Sequence, residues 1–99
     1  MIPGLTTKIS EELISLTTTI KPTSDLIHVT STTSTTVLVK IIPPYSGSPG
    51  IMIIVNRSGG NVTTLTTGNI ATAITIGQNV AVVLVYSALT DKYYVGALA

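Results

Sequence analysis

Six stretches of this chain, "LIHVT", "TTVLVKII", "IMIIVN", "NVTTLTT", "NVAVVLVYS" and "KYYVGAL", are each of strand length and built largely from Val, Ile, Thr, Leu and Tyr. Gly, Pro, Asn and Ser separate them. Side chains branched at Cβ fit a pleated surface, and runs of them between Gly- and Pro-rich breaks mark strands. From Leu26 onward the sequence therefore predicts an all-β body. At least six strands joined by short turns within roughly 75 residues fit a sandwich or jelly roll. The expectation is an antiparallel β-sandwich, jelly-roll-like domain over residues 21–99.

The faces of these strands differ. In "TTVLVKII", Val37, Val39 and Ile41 share one side while Leu38, Lys40 and Ile42 share the other. In "IMIIVN" and "VAVVLVY" both sides are apolar, which an antiparallel sheet with one wet face does not require. These two are expected to be central strands, or strands whose outer side meets another chain. Ser58-Gly59-Gly60-Asn61 reads as a turn with positive φ that joins "IMIIVN" to "VTTLTT" as a hairpin. Thr67-Gly68-Asn69 and Ile76-Gly77-Gln78-Asn79 punctuate the chain again, and "PPYSGSPG" (43–50) reads as a surface loop.

The first twenty residues carry a different rhythm. Pro3-Gly4 opens an arm, and Ile9, Leu13 and Leu16 follow at i, i+4 and i+7, which is helical spacing. Ser10 supplies a capping oxygen, and Glu11 and Glu12 favour a helix start. The β-branched run from Thr17 to Ile20 and then Pro22 keep such a helix short. Residues 1–20 are thus expected to form an arm with a two-turn helix that needs a surface to pack on.

With 99 residues the chain is expected to form one domain. Charged residues make up 9% of it, against about 25% in an average soluble domain. Mean hydropathy is +0.59 and the net charge is +1. A surface so short of charge tends to associate, so much of it is expected to be covered by other subunits. The longest apolar run, Val80 to Tyr86, is far below the roughly 18 residues of a membrane-spanning helix. Glu11 and Glu12 interrupt what would be the apolar core of a secretory signal. There are no cysteines, which excludes disulfides and thiolate chemistry. The cations Lys8, Lys21, Lys40, Arg57 and Lys92 form no cluster, so no nucleic-acid footprint is present.

Groups for catalysis are few. The single histidine, His28, lies between Ile27 and Val29; if those face inward, it faces outward with Leu26, and no second histidine or neighbouring carboxylate accompanies it in the sequence. Adjacent Glu11 and Glu12 do not converge on a substrate, and Asp25 and Asp91 suit a turn and a hairpin tip. "GGN" lacks the lysine of a phosphate loop. The Asn56-Arg57-Ser58 and Asn61-Val62-Thr63 triplets match the glycosylation pattern, which a Thr-rich chain meets by chance. No catalytic, metal or cofactor residue is assigned, no cofactor is expected, and the chain does not read as an enzyme.

The order of residues adds a resemblance. "DLIHVTSTTSTTVLVKIIPP", "IMIIVNRSGGNVTTLTTGNIA" and "AVVLVYSALTDKYYVGAL" together resemble a small β-sandwich domain of tailed-bacteriophage virion proteins, over roughly Asp25 to Val95. Gly68-Asn69-Ile70-Ala71, Val83-Leu84-Val85-Tyr86 and Lys92-Tyr93-Tyr94 match that family's short motifs. The chain departs from it in Tyr93, where the family often has Trp, and in the longer tip "SALTD". The resemblance implies a capsid decoration (cement) protein that binds the major capsid protein on the shell's outer surface as a homotrimer. The alternative it implies is a head- or tail-fibre or spike domain that binds a host receptor or glycan. It further implies a protein made in the bacterial cytoplasm and carried on the virion, with no nucleic-acid or membrane partner. Leu5, Ile9, Leu13 and Leu16 of the arm, Tyr45 of the loop, and Tyr93 and Tyr94 are the expected interface residues, since large aromatics are enriched in interfaces.

Overall fold

A computed structural model describes residues 10–31, 35–44 and 47–98. Among them there are strands and no helix. The largest sheet contains β1 (Glu11–Ser15), β3 (Leu26–Thr30), β6 (Gly50–Asn56), β9 (Ala81–Ser87) and β10 (Lys92–Leu98), in the order β1-β3-β6-β9-β10. A second sheet pairs β4 (Thr35–Leu38), β7 (Asn61–Thr64) and β8 (Thr75–Ile76), and a third pairs β2 (Thr19–Ile20) with β5 (Lys40–Ile41).

The sheets share one core. Ile27, Val29, Met52, Ile54, Val82, Leu84, Tyr86 and Tyr93 of the large sheet cluster with Ile20, Leu38, Ile41, Val62 and Ile76 from the other two. Each of these strands turns alternate residues inward, as the two-residue period of a pleated strand requires. The expected faces of Ile27, Val29 and His28 are therefore observed: the two aliphatics are buried and His28 lies on the other side.

Four expectations need correction. Residues 11–15 form β1 instead of a helix, hydrogen-bonded in parallel to β3. The helical spacing of Leu13 and Leu16 also satisfies a strand that ends between them, so that Leu13 points out and Leu16 lies in the core. An exposed strand edge offered by β3 outweighs a two-turn helix that is marginal alone. From Ser10 on, the arm belongs to the same body as the rest.

The sheets are mixed rather than antiparallel. β1/β3, β3/β6, β4/β7 and β2/β5 are parallel, while β6/β9, β9/β10 and β7/β8 are antiparallel. The reason is the itinerary of the chain, which leaves the large sheet after β1 and again after β3 to build the smaller sheets, then returns in the same direction.

"TTVLVKII" is two strands rather than one. Val39 N and Lys40 N both donate to Thr18 O, at 2.8 and 3.0 Å. That extra residue breaks the alternation, so Leu38 and Ile41 are both fully buried and the chain passes from β4's sheet to β5's.

Lastly, residues 57–60 do not close a hairpin, because β6 and β7 lie in different sheets. Positive φ falls at Gly47, Asn79 and Asp91 instead, and the Asp91 tip does close the β9–β10 hairpin as expected.

Candidate functional site: an apolar sheet face and two asparagine corners

Two corners that join the sheets are held by buried amides. Asn56, at the end of β6, donates from Nδ2 to Gly60 O (2.9 Å), Ile76 O (2.9 Å) and Gly77 O (3.1 Å). Its Oδ1 accepts from Ser58 N at 2.9 Å and from the Ser58 hydroxyl at 2.5 Å. Asn56 is fully buried, so the Asn56-Arg57-Ser58 triplet is a folded corner and not an accessible acceptor for a sugar. Asn69 does the work of a strand: its Oδ1 accepts from Ile41 N (2.9 Å) and its Nδ2 donates to Ile41 O (2.6 Å). Its own backbone O accepts from Tyr93 N at 2.7 Å, so "GNIA" clamps β5 to β10. Gly68 lets this happen, since a Cβ there would lie 2.2 Å from Val39 O.

The opposite inversion of polarity is on the outside of the large sheet. Positions that point away from the core include Leu13 on β1, Ile51, Ile53 and Val55 on β6, Val83 and Val85 on β9 and Tyr94 on β10. Leu13 is 67% exposed, Ile51 58%, and Val85 and Tyr94 each 40%. Register brings those of β6, β9 and β10 side by side: Ile51 lies opposite Val85, Val85 opposite Tyr94, and Ile53 opposite Val83; Leu13 stands at the sheet's edge, with His28 between it and Val55. Gly96 adds no side chain to cover them; a Cβ there would come within 3.3 Å of Val83 O and 3.4 Å of Val85 Cγ2. Scattered exposed aliphatics are ordinary, but a contiguous patch marks an interaction surface. Both-sided apolarity of "IMIIVN" and "VAVVLVY" pointed to this face, and the strands are central as well.

The ionisable groups are dispersed around this face. Strand pairing sets Leu13 beside His28 and Glu11 beside Leu26, and His28 Nε2 hydrogen-bonds the Glu11 carboxylate. The sequence did not reveal this carboxylate, because a helical reading of 10–16 separates Glu11 from β3. His28 Nδ1 is buried and has no hydrogen-bond partner. Glu12 points to the other side, where its Oε1 accepts from Ser24 N at 2.9 Å. Neighbouring strand positions face opposite ways, so the two glutamates cannot act on one substrate. Asp91 accepts from the Tyr86 hydroxyl; that hydrogen bond, aided by burial and by the Asp91 charge, raises the phenol above its ordinary 10.0. Among the described residues no group of three or more His, Asp or Glu is placed to hold a metal, and no helix is long and apolar enough to cross a membrane.

Of the expected interface residues, Leu13 and Tyr94 lie on the outward face. Leu16 and Tyr93 lie in the core, Tyr93 with its ring centroid 5.0 Å from that of Tyr86. Leu5, Ile9 and Tyr45 fall outside the described residues. A second surface feature is an open cleft lined by Thr19, Lys40, Thr67, Thr90, Asp91 and Lys92 among others.

No family model and no curated protein matches the sequence. The fold is similar to part of a chain in a solved chaperone–substrate complex, with a TM-score of 0.63 and 13% identity, over 94% of this chain and 18% of that one. This chain thus spans less than a fifth of the length of the solved chain it matches.

Proposed function

We infer that the three sheets close as a sandwich and that the protein is a structural subunit of a tailed-bacteriophage virion, a decoration (cement) protein. In this reading it trimerises, binds the major capsid protein on the outer surface of the shell, and stabilises that shell without catalysis, cofactor, nucleic acid or membrane. It is made in the bacterial cytoplasm and ends on the virion.

The observation that carries the reading is the apolar outward face of the large sheet on a chain with 9% charged residues. Burying apolar area contributes about 25 cal/mol per Å2, and a standard interface takes roughly 800 Å2 from each partner. After the ordering costs of association, repetition over many shell sites multiplies a modest gain per copy. The order of motifs that resembles small virion β-sandwich domains supports the same reading, and "GNIA" has a defined structural task as the clamp between β5 and β10.

The test is co-sedimentation of the purified protein with expanded and unexpanded phage capsids. Saturable binding to expanded shells, together with a higher temperature of shell disruption, is the expected result; no binding to any shell rejects it.

A second reading, a module of a fibre or spike that binds a receptor or glycan, is favoured by one observation: the similar fold occupies only 18% of a longer chain. The cleft with Lys40, Lys92 and three threonines would suit a hydroxyl-rich ligand. Specific retention on a glycan array, with no binding to shells, selects this reading over the first.

A further inference from the structure

The outward face of the large sheet has three properties that together select what covers it. Its formal charges are one of each sign, Glu11 on β1, hydrogen-bonded to His28, and Lys92 at the far corner opposite Ser87. A partner with a strong field of either sign gains little from such a face, whereas a neutral face complements itself. Its relief is that of pleated strands with one register shift, between Val95 and Ala97, and the absent side chain at Gly96 leaves Val83 and Val85 uncovered. Two pleated apolar faces stack about 10 Å apart with their side chains interdigitated.

The third property is size. Five strands spaced about 4.8 Å apart, with about 3.3 Å per residue, give a face on the order of 20 by 20 Å. That is roughly 400 Å2 in projection on each copy, against roughly 800 Å2 per partner in a standard interface.

We propose that this face is where copies of this chain meet, sheet against sheet, through Leu13, Ile51, Ile53, Val83, Val85 and Tyr94. Contacts of this size are reversible, so the union is concentration-dependent in solution and tightens where a scaffold holds copies together. The inference rests on the assembly reading above only for that scaffold.

The experiment is the solution mass of the full chain by light scattering and sedimentation, from about 10 μM to about 1 mM. The mass is expected to rise from one chain to a multiple of it. Ile51→Lys and Val85→Lys are expected to weaken association at least about tenfold. Leu89→Lys adds the same charge at a tip residue that is 98% exposed and off the face, and is expected to leave association unchanged.

Because the chain has no cysteine, Ile51→Cys introduces a single thiol. Its labelling is expected to slow several-fold between the lowest and highest concentrations, which decides the matter if a lysine variant fails to fold. A mass of one chain at every concentration overturns the proposal. So does association that survives both lysine variants with the thiol fully reactive. A monomer that still binds expanded shells overturns this inference and the trimer of the decoration reading but leaves its shell binding standing; association through this face with no shell binding does the reverse.

Discussion

The two asparagine corners and the outward face of the large sheet break the usual rule of polarity in opposite directions. At the corners, Asn56, Ser58 and Asn69 are buried, and the two asparagine amides make hydrogen bonds from both their oxygen and their nitrogen. On the face, Leu13, Ile51, Val85 and Tyr94 remain in the open. A buried amide is tolerated because its partners are built into the same chain at fixed distance, and it costs heavily once they are lost. An exposed aliphatic row costs the monomer little and gains only when something covers it. The corners therefore govern stability, and the face governs association.

Substitutions that separate these two effects test the contrast. Asn56→Ala removes the Nδ2 donor shared by the carbonyls of Gly60, Ile76 and Gly77 and the Oδ1 acceptor of the Ser58 donors, although Gly60 O keeps the Ser58 hydroxyl and Gly77 O keeps Val80 N. It is expected to cost about 3 kcal/mol or more in denaturant unfolding, with a melting temperature lowered by more than about 10 °C. Gly68→Ala forces a methyl group against Val39 O, which lies 2.2 Å from the Cβ position. Backbone must move there, and the expected cost is about 2 kcal/mol, seen as a lower denaturation midpoint with an unchanged slope. If either variant is as stable as the parent, the corners do not carry the fold.

On the face the expected effect falls on association rather than stability. Val85→Thr replaces a methyl by a hydroxyl at an outward position. It is expected to change monomer stability by less than about 0.5 kcal/mol while weakening self-association in the mass measurement. A loss of stability as large as at Asn56 would erase the distinction between the regions. The smallest effect is at Tyr86, where the hydrogen bond to Asp91 favours the neutral phenol in the folded state. A tyrosine raised by folding contributes stability that is fully present below its unfolded value of 10.0 and is lost as pH rises through the higher folded value. Tyr86→Phe is expected to flatten the decline of stability above pH 10 in an alkaline unfolding series.

How much of this was legible follows from range. Inward and outward residues within a strand depend only on period two, so Ile27 and Val29 could be set opposite His28 from sequence, whereas in "IMIIVN" and "VAVVLVY", apolar on both sides, the inward side of Met52 and Leu84 could not be told. The strand at 11–15 could not, because over seven residues the spacing of Ile9, Leu13 and Leu16 suits a helix and β1's hydrogen bonds come from β3 fifteen residues later. Parallel pairing was hidden for the same reason. Which sheet a strand joins is decided where the chain crosses, at Val39 and Asn56, and the crossing residues carry no periodic signal. A usable sign did exist at Asn56 and Ser58: an Asn closing an apolar strand, with Ser two residues on, is the pattern of a side chain bonded to its own backbone. The outward face was readable as a property of "IMIIVN" and "VAVVLVY", although Ile51 and Val85 were not singled out.

The itinerary of the chain has a consequence for how the molecule is made. β6 lies between β3 and β9, so its second edge stays bare until β9 has been synthesised, some twenty-five residues later on the ribosome. Pairings between strands distant in sequence form slowly, and unsatisfied strand edges recruit one another in the meantime. Newborn chains therefore pass through an interval in which "IMIIVN" can zip onto a neighbour's copy, and the local β9–β10 hairpin is the piece that closes it.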